Sequence, residues 1–161
     1  GTLDSGVSRL RLKYHGEIDD LNADVIGTLS TTSDATTLEF TIDTDTLPTN
    51  TVTAVDKILN ASTAKPGFSG LPAATVGQRY LTLDDATSSS VWGIDVSAND
   101  IIEYNGTAWV LSFDASAYTT RAYVTNTFTT QQFKFEKGEW TDTFQGIYES
   151  GYWRLELVVT P

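Results

Sequence analysis

From Ser8 to Tyr14 the chain alternates strictly, with Leu10, Leu12 and Tyr14 on one face and Arg9, Arg11 and Lys13 on the other. A period of two is the mark of a half-buried strand. The pattern returns at Asp24–Leu29 and at Thr37–Asp43, where Leu38, Phe40 and Ile42 make the apolar face. Arg79–Leu83, Val91–Val96, Ile101–Tyr104, Thr107–Phe113, Tyr118–Phe128 and Gln132–Phe144 read as further strands or strand pairs, and Val52–Leu59 as a strand or a single helical turn. At the end, Trp153, Leu155, Leu157 and Val159 share one face. That last strand is expected to pair with another, with the N-terminal strand a candidate because its arginine face would oppose Glu156.

Two of these segments repeat a frame. Tyr104, four residues, Trp109, three residues, Phe113 is matched by Phe135, four residues, Trp140, three residues, Phe144. Each copy sets a glycine (Gly106, Gly138) between aromatics that would face each other across a tight reversal, which is hairpin chemistry. With Asn105-Gly106 as a two-residue turn, Ile102 would lie opposite Trp109, and Tyr104, Leu111 and Phe113 would share its face. Aromatic cross-strand pairs stabilise a hairpin by about 0.2–1 kcal/mol each. The repeated placement predicts that the rings are core wedges; Trp92, Tyr104, Trp109, Phe135, Trp140 and Trp153 are the expected structural residues.

Composition supports this reading. Threonine runs recur while charged residues make up only 19%, and β-branched threonine suits the open face of a sheet better than a helix. The expected fold is all-β, antiparallel hairpins forming a β-sandwich or partly open barrel with minimal helix. Residues 1–60 form an N-terminal β subdomain in this reading and residues 78–161 a C-terminal one holding the two hairpins. Residues 61–77, rich in Lys-Pro-Gly, Ser-Gly and Leu-Pro, are a linker or long loop.

The formal net charge of −11 disfavours nucleic acid and anionic membrane surfaces as partners. Cysteine and methionine are absent, which removes disulfides and thiolate metal sites, and Gly1 is expected to remain from a cleaved tag. No cofactor or metal is expected. His15 is the only histidine, so any Ser-His-Asp arrangement would depend on it, and Gly67-Phe-Ser69-Gly70 lacks the second glycine of a nucleophile elbow. Asp43-Thr-Asp45 begins like a calcium loop, but Pro48 and Ala54 occupy the positions that need Gly and Glu. Asp84, Asp85, Asp95, Asp100, Glu136, Glu139, Asp142 and Glu149 are plentiful carboxylates, and no spacing selects a catalytic pair. Asn60-Ala-Ser62 and Asn105-Gly-Thr107 match the glycosylation sequon; the second is explained by its turn.

From Leu71 to about Thr141, Gly77-Gln-Arg-Tyr80-Leu81 is followed by Trp92-Gly93, then Asn99-Asp-Ile-Ile-Glu-Tyr-Asn-Gly-Thr-Ala-Trp109, then the second aromatic-x-x-Gly-x-Trp at Phe135–Trp140. This resembles an uncharacterised domain family of tailed-phage and prophage structural proteins, often found beside tail or fibre modules. The resemblance implies a virion component assembled in a bacterial cytoplasm, with other virion proteins as partners and self-association expected, and it supplies no catalytic residues. A non-enzymatic structural role in a tail, neck, baseplate or fibre region is therefore expected. The alternatives are a glycan-binding module with exposed Trp and Tyr rings, and a polysaccharide hydrolase with a carboxylate pair.

Overall fold

The computed structural model describes residues 8–14, 24–31, 33, 38–143 and 153–157. The fold is all-β. Among the described residues eleven strands lie in three sheets, and helix is confined to one 3-10 turn, Thr44–Thr46. No described helix is long and apolar enough to cross a membrane.

The chain divides into two compact units, residues 1–48 with 146–161 and residues 49–145. The first holds β1 (Ser8–Tyr14), β2 (Asp24–Thr31), β3 (Leu38–Ile42) and the last strand, β11 (Trp153–Leu157), in the sheet order β11-β1-β2-β3. β11 runs antiparallel to β1 with Arg11 opposite Glu156 and Tyr14 opposite Trp153, the pairing that the alternating pattern suggests. The contact division therefore differs from a boundary at 61–77: a strand from the far end of the chain completes the N-terminal sheet.

The second unit carries β4 (Lys57–Leu59), β5 (Arg79–Thr82), β6 (Ile101–Tyr104) and β7 (Trp109–Phe113) in one sheet, and β8 (Ala122–Asn126), β9 (Gln131–Glu136) and β10 (Glu139–Asp142) in another. Residues 51–59 join the two. Thr51 and Val52 donate to the Tyr123 carbonyl and Val55 to that of Thr125, on β8; then β4 turns away to run parallel to β5. One extended segment thus serves both sheets. This resolves Val52–Leu59 as extended chain, and the sheets do not close into a barrel.

β5 is buried along its whole length, because its sheet is covered on both faces. Leu81, Ile101 and Phe113 face β8 and β9, where they meet Ala122, Val124 and Phe135. Their neighbours Tyr80, Ile102 and Trp109 point the other way, into a second core with Leu59, Ala61, Trp92 and Val96. Alternation alone would put Trp109, Leu111 and Phe113 on one face. A register shift opposite Ile101/Ile102, where Ile102 pairs with Leu111 but Ile101 with Phe113, inserts Ser112 as an extra residue. This bulge reverses the parity of β7 beyond Leu111, so Trp109 and Phe113 enter different cores; Leu111, opposite Ile102, is 42% exposed.

Both hairpins set their frame aromatics face to face, Tyr104 opposite Trp109 and Phe135 opposite Trp140. Thus Tyr104, rather than Ile102, is the partner of Trp109. The second reversal is a two-residue turn with Lys137 at φ 56° and Gly138 at φ 90°, the positive-φ pair that the strand twist requires. In the first, Gly106 has φ 99°, and a Cβ there would stand 2.9 Å from Val76 Cγ2. Gly106→Ala is therefore expected to cost about 1–2 kcal/mol from left-handed strain alone, with more from the Val76 contact, read as a lower urea midpoint at unchanged slope.

The 61–77 segment is an ordered loop over the second core. Ala61 is buried there, and Ala64, Leu71 and Ala74 pack against the same cluster. Trp92, expected on a strand, lies in a loop instead, where the only local ladder contact is a bridge between Ala86 and Val96.

Candidate functional site

Five of the six expected aromatic anchors separate into two groups. Trp92 and Trp109 are buried in the second core with Tyr104 packed against them, and Phe135 and half-buried Trp140 belong to the first. Trp109 stacks on Tyr80 at 5.2 Å and meets Trp92 edge to face at 5.0 Å. Trp140 lies 5.1 Å from both Phe113 and Phe135. The indole N–H of Trp92 donates to the Ala61 carbonyl at 2.8 Å and that of Trp140 to the Asn99 carbonyl at 2.9 Å. Buried indoles need such partners. The side chain of Trp153 lies outside the described residues, as do His15, Phe144 and Glu149.

The carboxylates act as loop fasteners. Asp84 accepts from the backbone N–H of Ser62 at 3.1 Å and from its hydroxyl, and that hydroxyl bond holds its carboxyl below the usual range. Asp85 accepts from Ala98 N at 2.8 Å, Asp95 from Ser88 N at 2.7 Å, and Asp100 from Ser97 N at 2.7 Å and Ala115 N at 2.9 Å. Asp142 is bonded by the Gln131 amide, while Glu139 is exposed at the tip of the second hairpin. Asp43 caps the 3-10 turn, accepting from Asp45 N at 3.2 Å, so the calcium-like stretch is a turn. No group of three or more metal-ligating side chains occurs among the described residues. Ser69 sits in an exposed loop at φ 50°.

Glu136 is held by the Arg121 guanidinium at 2.6 Å and by Lys134 at 3.3 Å. The Arg121 hydrogen bond, ahead of the Lys134 charge, lowers its pKa. A carboxyl whose folded pKa is depressed adds stability above its unfolded pKa and loses it as pH falls through the folded value. Glu136→Gln is expected to remove that part of the acid limb, so the variant's stability should change less than wild type's from neutral pH to below the ordinary glutamate range.

The second unit carries surface concavities, among them these two. One, of about 480 Å³, is lined by Ser62, Asp85, Thr87, Ser90, Asp95 and Ser97, and its carboxylates already hold loop N–H groups. The other, of about 520 Å³, lies between Asp56-Lys57, residues 72–78 and Thr127-Phe128, with Tyr80 in its wall. Lys57 donates to the Gly70 carbonyl at 2.9 Å and rests 4.7 Å over the Phe128 ring, a cation–π contact. Burial, and then the Asp56 carboxylate, push the Tyr80 hydroxyl up to about 12, so it stays protonated. Its hydroxyl is buried with no hydrogen-bond partner among the described residues. The groove can receive an apolar group against Phe128 and Val76, which are 71% and 75% exposed. Periodicity did not point to it, because three segments far apart in the chain build it; the one local signal is Phe128 standing alone in a threonine turn.

Compared with known protein families, with curated proteins and with solved structures, the chain matches none.

Proposed function

We propose that this chain is a non-enzymatic structural module of a tailed-phage particle, working through contacts with other virion proteins and with copies of itself. The observation that carries the reading is the use made of its reactive-looking side chains. Aromatic rings that might have formed a sugar platform wedge two cores on either side of one sheet, and the acids tie down loops. The result is a stiff body rather than a cleft with converging acids. The tailed-phage setting rests on the resemblance over residues 71–141. For contact, β7 offers an edge whose outer strand carries uncharged, partly exposed Val110 and Leu111, and unprotected edges are where sheets recruit neighbours.

The test is to purify particles by density gradient from a culture that carries the gene and to quantify peptides by mass spectrometry. The reading expects this chain in tail-bearing fractions at a fixed ratio to tail proteins. Recovery only outside the particles overturns it. Titration with oligosaccharides, followed by tryptophan emission, is expected to leave the spectrum unmoved; a saturable shift would favour the glycan-binding alternative.

A further inference from the structure

We infer that Asn105 is a self-modification site, at which the chain attacks its own side-chain amide to form a succinimide that water opens to aspartate or isoaspartate. Three features of the first hairpin turn converge on this. The nucleophile is the backbone nitrogen of Gly106, which donates no hydrogen bond among the described residues and carries no side chain to crowd its approach. The electrophile is the Asn105 side-chain carbonyl. Its Oδ1 accepts from the backbone N–H of Thr107 and of Ala108, each at 2.9 Å, so the oxygen that gains negative charge during attack already faces a pair of donors. Such prepositioned donors are the means by which acyl-transfer sites stabilise a tetrahedral intermediate. The leaving group, Nδ2, is bonded to nothing among the described residues and stands on an exposed loop.

The surroundings hold these groups in place. Gly77 N donates to the Tyr104 carbonyl at 2.8 Å, Tyr104 N to the Gln78 carbonyl at 2.9 Å, and Asn105 N to the Ala108 carbonyl at 3.0 Å. The main chain is thus tied at Tyr104, Asn105 and Ala108 around the reacting bond, which limits the conformations that bond samples. In the step, base removes the Gly106 amide proton and the nitrogen forms a bond to Asn105 Cγ. The Cγ–Nδ2 bond breaks, and ammonia leaves with a proton returned from solvent. Water then adds to either ring carbonyl. One opening yields an ordinary aspartyl residue, the other a main chain routed through Cγ. Both add a negative charge, taking the formal net charge from −11 to −12. The second also lengthens the main chain between Tyr104 and Trp109, whose pairing fixes the end of the hairpin.

The test uses the intact chain aged in mildly alkaline buffer, with a matched sample unfolded in urea. Peptide mass spectrometry locates amide-to-acid conversion, and fragmentation distinguishes the two products. The other asparagines in the same sample, Asn22, Asn50, Asn60, Asn99 and Asn126, serve as internal references. The inference expects conversion at position 105 first, with both products, at a folded-state rate equal to or above that in urea; Asn105→Gln should abolish it without altering the references. It is overturned if another asparagine converts first in the folded chain, or if Asn105 converts more slowly folded than unfolded.

Discussion

Replacing Trp92 with alanine is expected to lower stability by about 3–5 kcal/mol, the range for deleting a large aromatic from a packed interior. The indole is 2% exposed, lies edge-on to Tyr80 and Trp109, and donates to the Ala61 carbonyl. Alanine would open a cavity between the sheet and the loops that cover it and would leave a buried carbonyl without its donor. Against a total stability of about 5–15 kcal/mol for a domain of ordinary size, that is a large fraction. Phenylalanine separates the contributions: it restores most of the packing but not the N–H, and should recover all but about 1–2 kcal/mol. Urea unfolding measures both. A Trp92→Ala midpoint near wild type would mean that the second core is not closed by this ring.

The second large effect is expected at Asp100, which is 4% exposed just before β6. One carboxylate oxygen accepts from Ser97 N and the other from Ala115 N, while the residue's own carbonyl receives Thr82 N and Thr82 Oγ1. Asp100→Ala leaves two N–H groups without acceptors, and hydrogen bonds to a charged group contribute about 1.5–3 kcal/mol each. A loss of about 3 kcal/mol or more is expected. Asp100→Asn should not rescue it fully, since its NH₂ would face one of those donors. Asp95, exposed with a single bond to Ser88 N, is the control; Asp95→Ala should cost under about 1 kcal/mol. Equal losses at the two positions would refute the distinction.

Much of the fold was legible in the chain because a period of two is a local signal. The alternation at Ser8–Tyr14 located β1, and the aromatic-x4-Trp frame located both hairpins, though a two-residue turn at Asn105-Gly106 would have set Ile102 rather than Tyr104 opposite Trp109. The face of Phe113 was not legible. A bulge changes parity without leaving a composition cue, and Ser112 looks like any other exposed strand residue. Trp92 was misplaced onto a strand because an aromatic between valines satisfies the alternating pattern whether or not a ladder forms. The unit boundary was hidden for a different reason. Glycine and proline near residue 70 mark irregular backbone, but irregular backbone with Ala61, Ala64, Leu71 and Ala74 turned inward is a covering layer rather than a tether. Among the candidate site residues, Trp109 and Phe135 are buried and Tyr104 and Trp140 partly buried, whereas the groove at Asp56, Lys57 and Phe128 depends on tertiary approach that no local pattern encodes.

The pairing of β11 with β1 has a consequence for the order of events at the ribosome. Residues 49–145 emerge as an uninterrupted stretch with both of their sheets complete, and that stretch can condense while synthesis continues. β1, β2 and β3, made before that stretch, must wait with one side of β1 unpaired until β11 leaves the exit tunnel. Closing so distant a contact is slow, so the sheet begun before residues 49–145 matures after them, and a chain released before residue 153 would leave β1 as a bare edge open to strands from other molecules.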